Sequence, residues 1–313
     1  MGKRGQRVLV VGYGFIGSHL VEELKRQGHQ PVVITKYAPI DEAKKAALSA
    51  VPSLVADAGD AEALDSVMDG VDHVMFAATG MMPAEANADP LGDLNLTLSP
   101  LFALLEVVRR RSGIALTFFS SGGTVYGRAK QVPIPEEHAT DPLGAYGITK
   151  LVSEKYIQLY AELHGIEATI LRCSNLYGPG QPTQRSQGVI AAFLHRLLRD
   201  QPVKIFGEGV EVRDYVYVED VVRTATALLD VDEVPMVLNV GAGEGLSVIA
   251  LLGLLERLLG VEAQVERLPH RGFDVPEVVL DISKLQSLIG YEATPFEEGL
   301  RRTIEAARAE LEG

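Results

Sequence analysis

Residues 8–20 read VLVVGYGFIGSHL, a run of β-branched and leucine residues, glycines at Gly12, Gly14 and Gly17, and then the opening of an amphipathic stretch with Leu20, Val21 and Leu24. An apolar run without polar alternation suits a parallel strand buried on both faces. Glycines between such a strand and a helix allow a tight turn and close backbone approach, and the helix then aims its free N–H groups and positive dipole end at a diphosphate. The stretch predicts a dinucleotide site built from Gly12, Gly14, Phe15, Ile16 and Gly17.

Strand and helix patterns go on alternating through the first half, the signature of a doubly wound parallel sheet. Residues 31–34 (PVVI) read as the second strand, 53–56 as the third, 71–78 as the fourth and 115–119 as the fifth, with a long helix over 94–111 before the last of these. The end of the second strand is where a dinucleotide site usually carries an acid for the adenosine ribose. Thr35 and Lys36 stand there instead, so a 2′-phosphate is not repelled and a lysine is at hand to attract it, which makes NADP plausible beside NAD. Asp57, after the third strand, is placed to receive the adenine amino group, and the small Ala77 and Ala78 let the fourth strand end close to the cofactor.

With 313 residues the chain is long enough for a substantial core. A formal charge of −13 argues against nucleic acid as a partner. No apolar run is read as membrane-spanning, and MGKRGQR leads into the first strand without a signal-peptide core, so the expectation is a cytoplasmic protein with no membrane contact. Cys173 is the only cysteine and the 7 histidines are scattered, so neither an internal disulfide nor a metal site is expected.

The fifth strand runs into SSGGTVYG at 120–127, and AYGITK follows with Tyr146 and Lys150. Residues four apart on a helix face the same way, so the ammonium sits by the ring and favours phenolate. Tyr146 thereby becomes an acid/base candidate near neutral pH.

Taken in order, GYGFIGSHL, SSGGTVYG, YGITK, LRCSNLYGPGQ, VRDYVYVEDVV and HRGFDVP make the chain resemble the extended short-chain dehydrogenase/reductases, in particular the nucleotide-sugar epimerase/dehydratase group. The resemblance implies an α/β fold, with a doubly wound parallel-sheet Rossmann domain over 1–172 and returning segments at about 214–241 and 278–284. A smaller interleaved α/β substrate cap would take 173–213, 242–277 and 285–313. It implies that Asn175 and Arg213 contact a substrate diphosphate, that Arg271 adds a basic contact, and that Val278 lies where the family sets the room beside the sugar. A homodimer through helices at 94–111 and 145–164 is implied as well.

The position matching the family's catalytic serine or threonine is Gly122. Thr124 has the strand parity to point to the same side, with Ser121 as the reserve. Dehydratases of the group carry acids just after that position; Gly123 and Thr124 supply none, which disfavours dehydration. The leading expectation is 4-epimerisation of a nucleotide-linked hexose, in the first place a UDP-sugar, with bound NAD; the alternative is an NADPH-dependent 4-ketoreductase of a nucleotide-linked keto-deoxysugar. A non-enzymatic dinucleotide sensor would need a broken catalytic pair, and Tyr146 with Lys150 is intact.

Overall fold

The structure is a computed structural model that describes residues 5–182, 188–270, 272 and 275–312. Its first half alternates as expected, through β1 (Arg7–Val11), α1 (Phe15–Arg26), β2 (Gln30–Thr35), α2 (Glu42–Ser49), β3 (Ser53–Val55), α3 (Ala61–Ser66), β4 (His73–Phe76), α4 (Pro83–Ala88), α5 (Pro90–Arg110) and β5 (Ala115–Ser121). A single-turn helix, α6 (Gly122–Val125), follows, then α7 (Ala145–His164), β6 (Ala168–Cys173), β7 (Asn175–Tyr177), α8 (Val189–Leu197), β8 (Val203–Phe206), β9 (Val212–Tyr217) and α9 (Val218–Ala227). The chain ends with β10 (Val237–Val240), β11 (Gly245–Ser247), α10 (Val248–Leu259), β12 (Val265–Leu268), β13 (Glu277–Val278), α11 (Ser283–Ile289) and α12 (Phe296–Glu312).

Seven strands form one sheet in the order β10-β6-β5-β4-β1-β2-β3. β1 pairs in parallel with β2 on one side and β4 on the other, so the strand order reverses between β1 and β4. In open α/β sheets that crevice, beyond the carboxyl ends of the strands, is where ligands bind. β9 belongs to a separate sheet with β11, β13 and β7, and β8 pairs with β12.

The chain divides into two compact units. The first comprises Met1–Ser120, Gly144–Leu171 and Val222–Leu238; its core sets Leu9, Val74, Phe76 and Phe118 of the sheet against Leu101, Leu104 and Leu105 of α5. The second comprises Ser121–Leu143, Arg172–Val221 and Asn239–Gly313, with a core around Tyr177, Phe193, Tyr217, Leu251 and Leu255.

Three sequence expectations change. α5 starts at Pro90 rather than at residue 94, because Asp89 caps it by accepting from Gly92 N and proline fits the first turn, where its missing N–H is no loss. α5 is also, by length and a mean hydropathy of 1.4, apolar enough to cross a membrane, contrary to the reading of no such run; its apolar face lies in the core of the first unit. Finally, residues 122–125 are helical, not extended.

Candidate active site

In the first unit, β1 ends at Val11, and Gly12 follows with φ +96°, a left-handed conformation that favours glycine. A Cβ on Gly12 would stand 2.9 Å from the Ala78 backbone, and one on Gly17 would meet the Gly12 carbonyl. Both glycines are therefore required by packing at the β1–β4 reversal. Gly14 differs, since a Cβ there would meet nothing within 4 Å.

α1 begins at Phe15 behind Gly14 with no side-chain cap and no acid in its first turn. α2 and α3, by contrast, are capped by the Asp41 and Asp60 carboxylates. The uncapped end of α1, with Phe15, Ile16 and Gly17 in its first turn, keeps its N–H groups and dipole for an anion. The residues present fit a dinucleotide diphosphate.

Thr35 is buried at the end of β2; its Oγ1 accepts from Tyr13 N at 3.4 Å and donates to the Tyr37 carbonyl at 3.2 Å. Because β2 and β3 are neighbours, with Thr35 opposite Val55, Lys36 and Asp57 come together, Nζ to Oδ2, at 2.8 Å. The Lys36 bond, helped by the Gly59 N–H, holds the Asp57 carboxyl below the usual range, and the Asp57 bond pushes Lys36 up. Ala77 and Ala78 are half-buried past the end of β4.

α7 carries Tyr146 and Lys150, the candidate acid/base pair. It starts behind Gly144, and Ala145 N donates to Asn87 Oδ1 at 2.8 Å. Tyr146 is half-buried on the first turn, and Lys150, one turn on, is buried. The Lys150 ammonium lies 5.8 Å from the Tyr146 ring centroid and 4.9 Å from that of Phe118, and donates to the Phe119 carbonyl at 3.0 Å. A fixed cation beside a phenol stabilises its anion, as proton abstraction from a hydroxyl requires. Glu154, fully buried, accepts from Ser120 Oγ at 2.5 Å. Sequence reasoning overlooked this residue, although its spacing four beyond Lys150 was the signal.

In the second unit, α6 carries the hydroxyl candidates. Gly122 is buried, and a Cβ there would lie 2.7 Å from Leu280 Cδ1 and 2.9 Å from the Arg172 carbonyl. Since α6 is a helical turn, residues two apart point in nearly opposite directions, which removes the strand-parity reason for preferring Thr124. Thr124 is half-buried with Oγ1 turned to the Ser121 carbonyl at 3.4 Å, and Ser121 is half-buried just before the turn. The turn is anchored by Tyr126, whose Oη donates to Asn239 Oδ1 at 2.7 Å and accepts from Arg172 Nη1 at 3.0 Å.

Asn175 and Arg213 also sit in the second unit. Asn175 starts β7 with its amide near Gly123, 3.6 Å from where a Cβ would be, and its Nδ2 donates to the Asp214 carbonyl at 3.1 Å. Arg213 is half-buried on β9, opposite Val278 of β13 and Leu246 of β11. Val278 is buried, and Arg271 lies outside the described residues. Next to Arg213 on β9 stands a second residue missed from sequence, Asp214, fully buried. Its carboxylate accepts from Ser174 Oγ, Ala242 N, Gly243 N and Leu280 N. Burial pushes its carboxyl up while those donors pull it down.

A doubly wound sheet with an uncapped glycine turn at its reversal point and a Tyr–Lys pair one helical turn apart defines a dinucleotide-dependent enzyme of the short-chain dehydrogenase/reductase class. Residues 8–241 match the NAD-dependent epimerase/dehydratase family, and the chain belongs to it. It is 32% identical over 304 residues to a UDP-glucose 4-epimerase of Azospirillum brasilense, covering 91% of this chain and 86% of that protein. The structure of a UDP-glucose 4-epimerase from Thermotoga maritima with UDP-glucose superposes with a TM-score of 0.91 at 32% identity, covering 98% of this chain and 100% of that one. A UDP-glucose 4-epimerase of Thermus thermophilus in complex with NAD gives 0.89 at 31%, covering 97% and 99%. The chain is thus an enzyme of an NAD-dependent family.

Proposed function

We propose that the protein interconverts the two carbon-4 epimers of a nucleotide-linked hexose, a UDP-sugar by its likeness to UDP-glucose 4-epimerases. The observation that carries this reading is the buried Lys150 ammonium 5.8 Å from the Tyr146 ring. Bound NAD supplies a reversible hydride acceptor. Tyr146 removes the proton of the sugar 4-hydroxyl and later returns it, and Lys150 holds the phenolate. Thr124 or Ser121 donates a hydrogen bond to the sugar oxygen, in place of a side chain at Gly122. Asn175 and Arg213, with Arg271, hold the diphosphate; guanidinium groups stay charged and grip phosphate oxygens in a fork.

Gly12, Gly14, Phe15, Ile16, Gly17, Thr35, Ala77 and Ala78 surround the dinucleotide in this reading. NAD is favoured over NADP because Lys36 is already engaged by Asp57, whose carboxylate also repels a 2′-phosphate. α5 and α7 pack together in the first unit and expose Leu91, Leu96, Ile148, Leu159 and Leu163; this apolar surface supports a homodimer through those helices. A cytoplasmic location agrees with a nucleotide-sugar substrate and with a sequence whose single cysteine, Cys173, is buried.

The test is separate incubation of the purified protein with UDP-glucose, UDP-N-acetylglucosamine and a dTDP-4-keto-6-deoxyhexose, with and without NADPH, followed by nuclear magnetic resonance of the products. Formation of the 4-epimer without added reductant is expected, and Tyr146→Phe abolishes it with the fold intact. Product only with stoichiometric NADPH, from a dTDP-4-keto-6-deoxyhexose, makes the protein a ketoreductase instead.

A further inference from the structure

Tyr146, Lys150 and Glu154 recur every four residues on α7 and so form one stripe along the helix. The last two are almost wholly buried, Lys150 at 4% exposure and Glu154 at 0%. A buried ammonium and a buried carboxylate are both unfavourable unless bonded. Both bond to consecutive residues of β5: Lys150 Nζ donates to the Phe119 carbonyl at 3.0 Å, and Glu154 Oε1 accepts from Ser120 Oγ at 2.5 Å. Of the carboxylates that α5 contributes, Glu106 accepts from Tyr160 Oη and Arg109, and Asp93 accepts from Met81 N through Oδ1 while its buried Oδ2 has no hydrogen-bond partner among the described residues. On the side of α4, Asn87 takes the Ala145 N–H.

We propose that Glu154 is a positioning residue for the acid/base pair, clamping Ser120 so that the adjacent Phe119 carbonyl keeps the Lys150 ammonium beside Tyr146. The inference rests on the role given to Tyr146 above. Lys150 is a long, flexible side chain with a point charge, so its position depends on what its ammonium is bonded to. The Glu154 bond fixes the strand end that carries that acceptor. Loss of the clamp frees the ammonium to move away, and the phenolate loses its stabilising charge.

The variants are Glu154→Ala, Ser120→Ala and Glu154→Gln, the last keeping a carbonyl oxygen for the Ser120 hydroxyl. Tyr146 ionisation is read directly by nuclear magnetic resonance of 13C-labelled tyrosine, assigned with Tyr146→Phe, and so does not depend on turnover. Glu154→Ala raises the Tyr146 pKa by about half a unit or more, and its kcat falls about tenfold with KM within about twofold. Ser120→Ala shifts both in the same direction, the double variant is no worse than Glu154→Ala alone, and Glu154→Gln recovers most of the loss. An unmoved Tyr146 titration in folded Glu154→Ala overturns the proposal, as does a Glu154→Gln variant as displaced as Glu154→Ala. A wild-type protein inactive on every nucleotide sugar refutes the function while leaving this readout intact.

Discussion

Gly122→Ser puts a hydroxyl at the position that the family resemblance matches to a catalytic serine or threonine, and the geometry says that the change is harmful. The new Cβ would come within 2.7 Å of Leu280 Cδ1 and 2.9 Å of the Arg172 carbonyl. Leu280 is fully buried, and the Arg172 carbonyl is backbone, so relief requires movement of a packed side chain and of β6. Overpacking of this kind costs about 1–3 kcal/mol. For a chain of this length that is about 2–6 °C in Tm, at about 2 °C per kcal/mol. Leu280→Ala alone opens a cavity costing about 2–5 kcal/mol, but it also removes one of the two clashes, so the double variant is less destabilised than the sum by about 0.5–1 kcal/mol or more. Thermal unfolding of the four proteins under one buffer measures the cycle, with product formation followed in parallel. A Gly122→Ser variant with unchanged Tm, or one whose loss simply adds to that of Leu280→Ala, refutes the packing argument; a rise in activity would show that the hydroxyl at 122 reaches the substrate after all.

Asp57→Asn frees Lys36 and removes a like charge from the neighbourhood of a 2′-phosphate; since both partners are nearly half exposed, the gain is about 1 kcal/mol, a shift of about fivefold in relative affinity toward NADP by fluorescence titration. An unchanged NADP-to-NAD ratio removes Lys36 and Asp57 from cofactor choice. Gly12→Ala places a methyl 2.9 Å from the Ala78 backbone at φ +96°; about 2 kcal/mol or more of destabilisation and loss of NAD retained through purification are expected. Full NAD occupancy with wild-type Tm would mean that the glycine turn has more room than the structure gives it.

The first half of the fold was legible because its strands are continuous apolar runs punctuated by glycine, a pattern that few other structures accept. Val8–Val11 and the glycines after it carried both the sheet and the helix end. The pairing of Tyr146 with Lys150 was legible because it depends on spacing along one helix. Other pairings were hidden where they depended on which strands are neighbours. Lys36 and Asp57 are 21 positions apart, and only the adjacency of β2 and β3 makes them partners. At α6 local pattern misled: a stretch following a strand was read as its continuation, but Gly122 and Gly123 let the chain coil at once beside Leu280 and Asn175. Asp214 was invisible for a related reason, since nothing in VRDYVY tells which of its charged residues turns inward.

Asp214 draws its hydrogen bonds from distant parts of the chain, and this bears on the order in which the protein can form. Its donors lie 40 residues before it, at Ser174, and 28, 29 and 66 residues after it, at Ala242, Gly243 and Leu280. At a synthesis rate of about 5–20 residues per second, Leu280 is added about 3–13 s after Asp214. Until then a carboxylate destined for the interior has no full set of donors and keeps its water. The glycine turn and β1–β5 have left the ribosome well before, so the half that carries the glycine turn can settle while the segment bearing Arg213 and Asn175 still waits for the strand that pairs with β9.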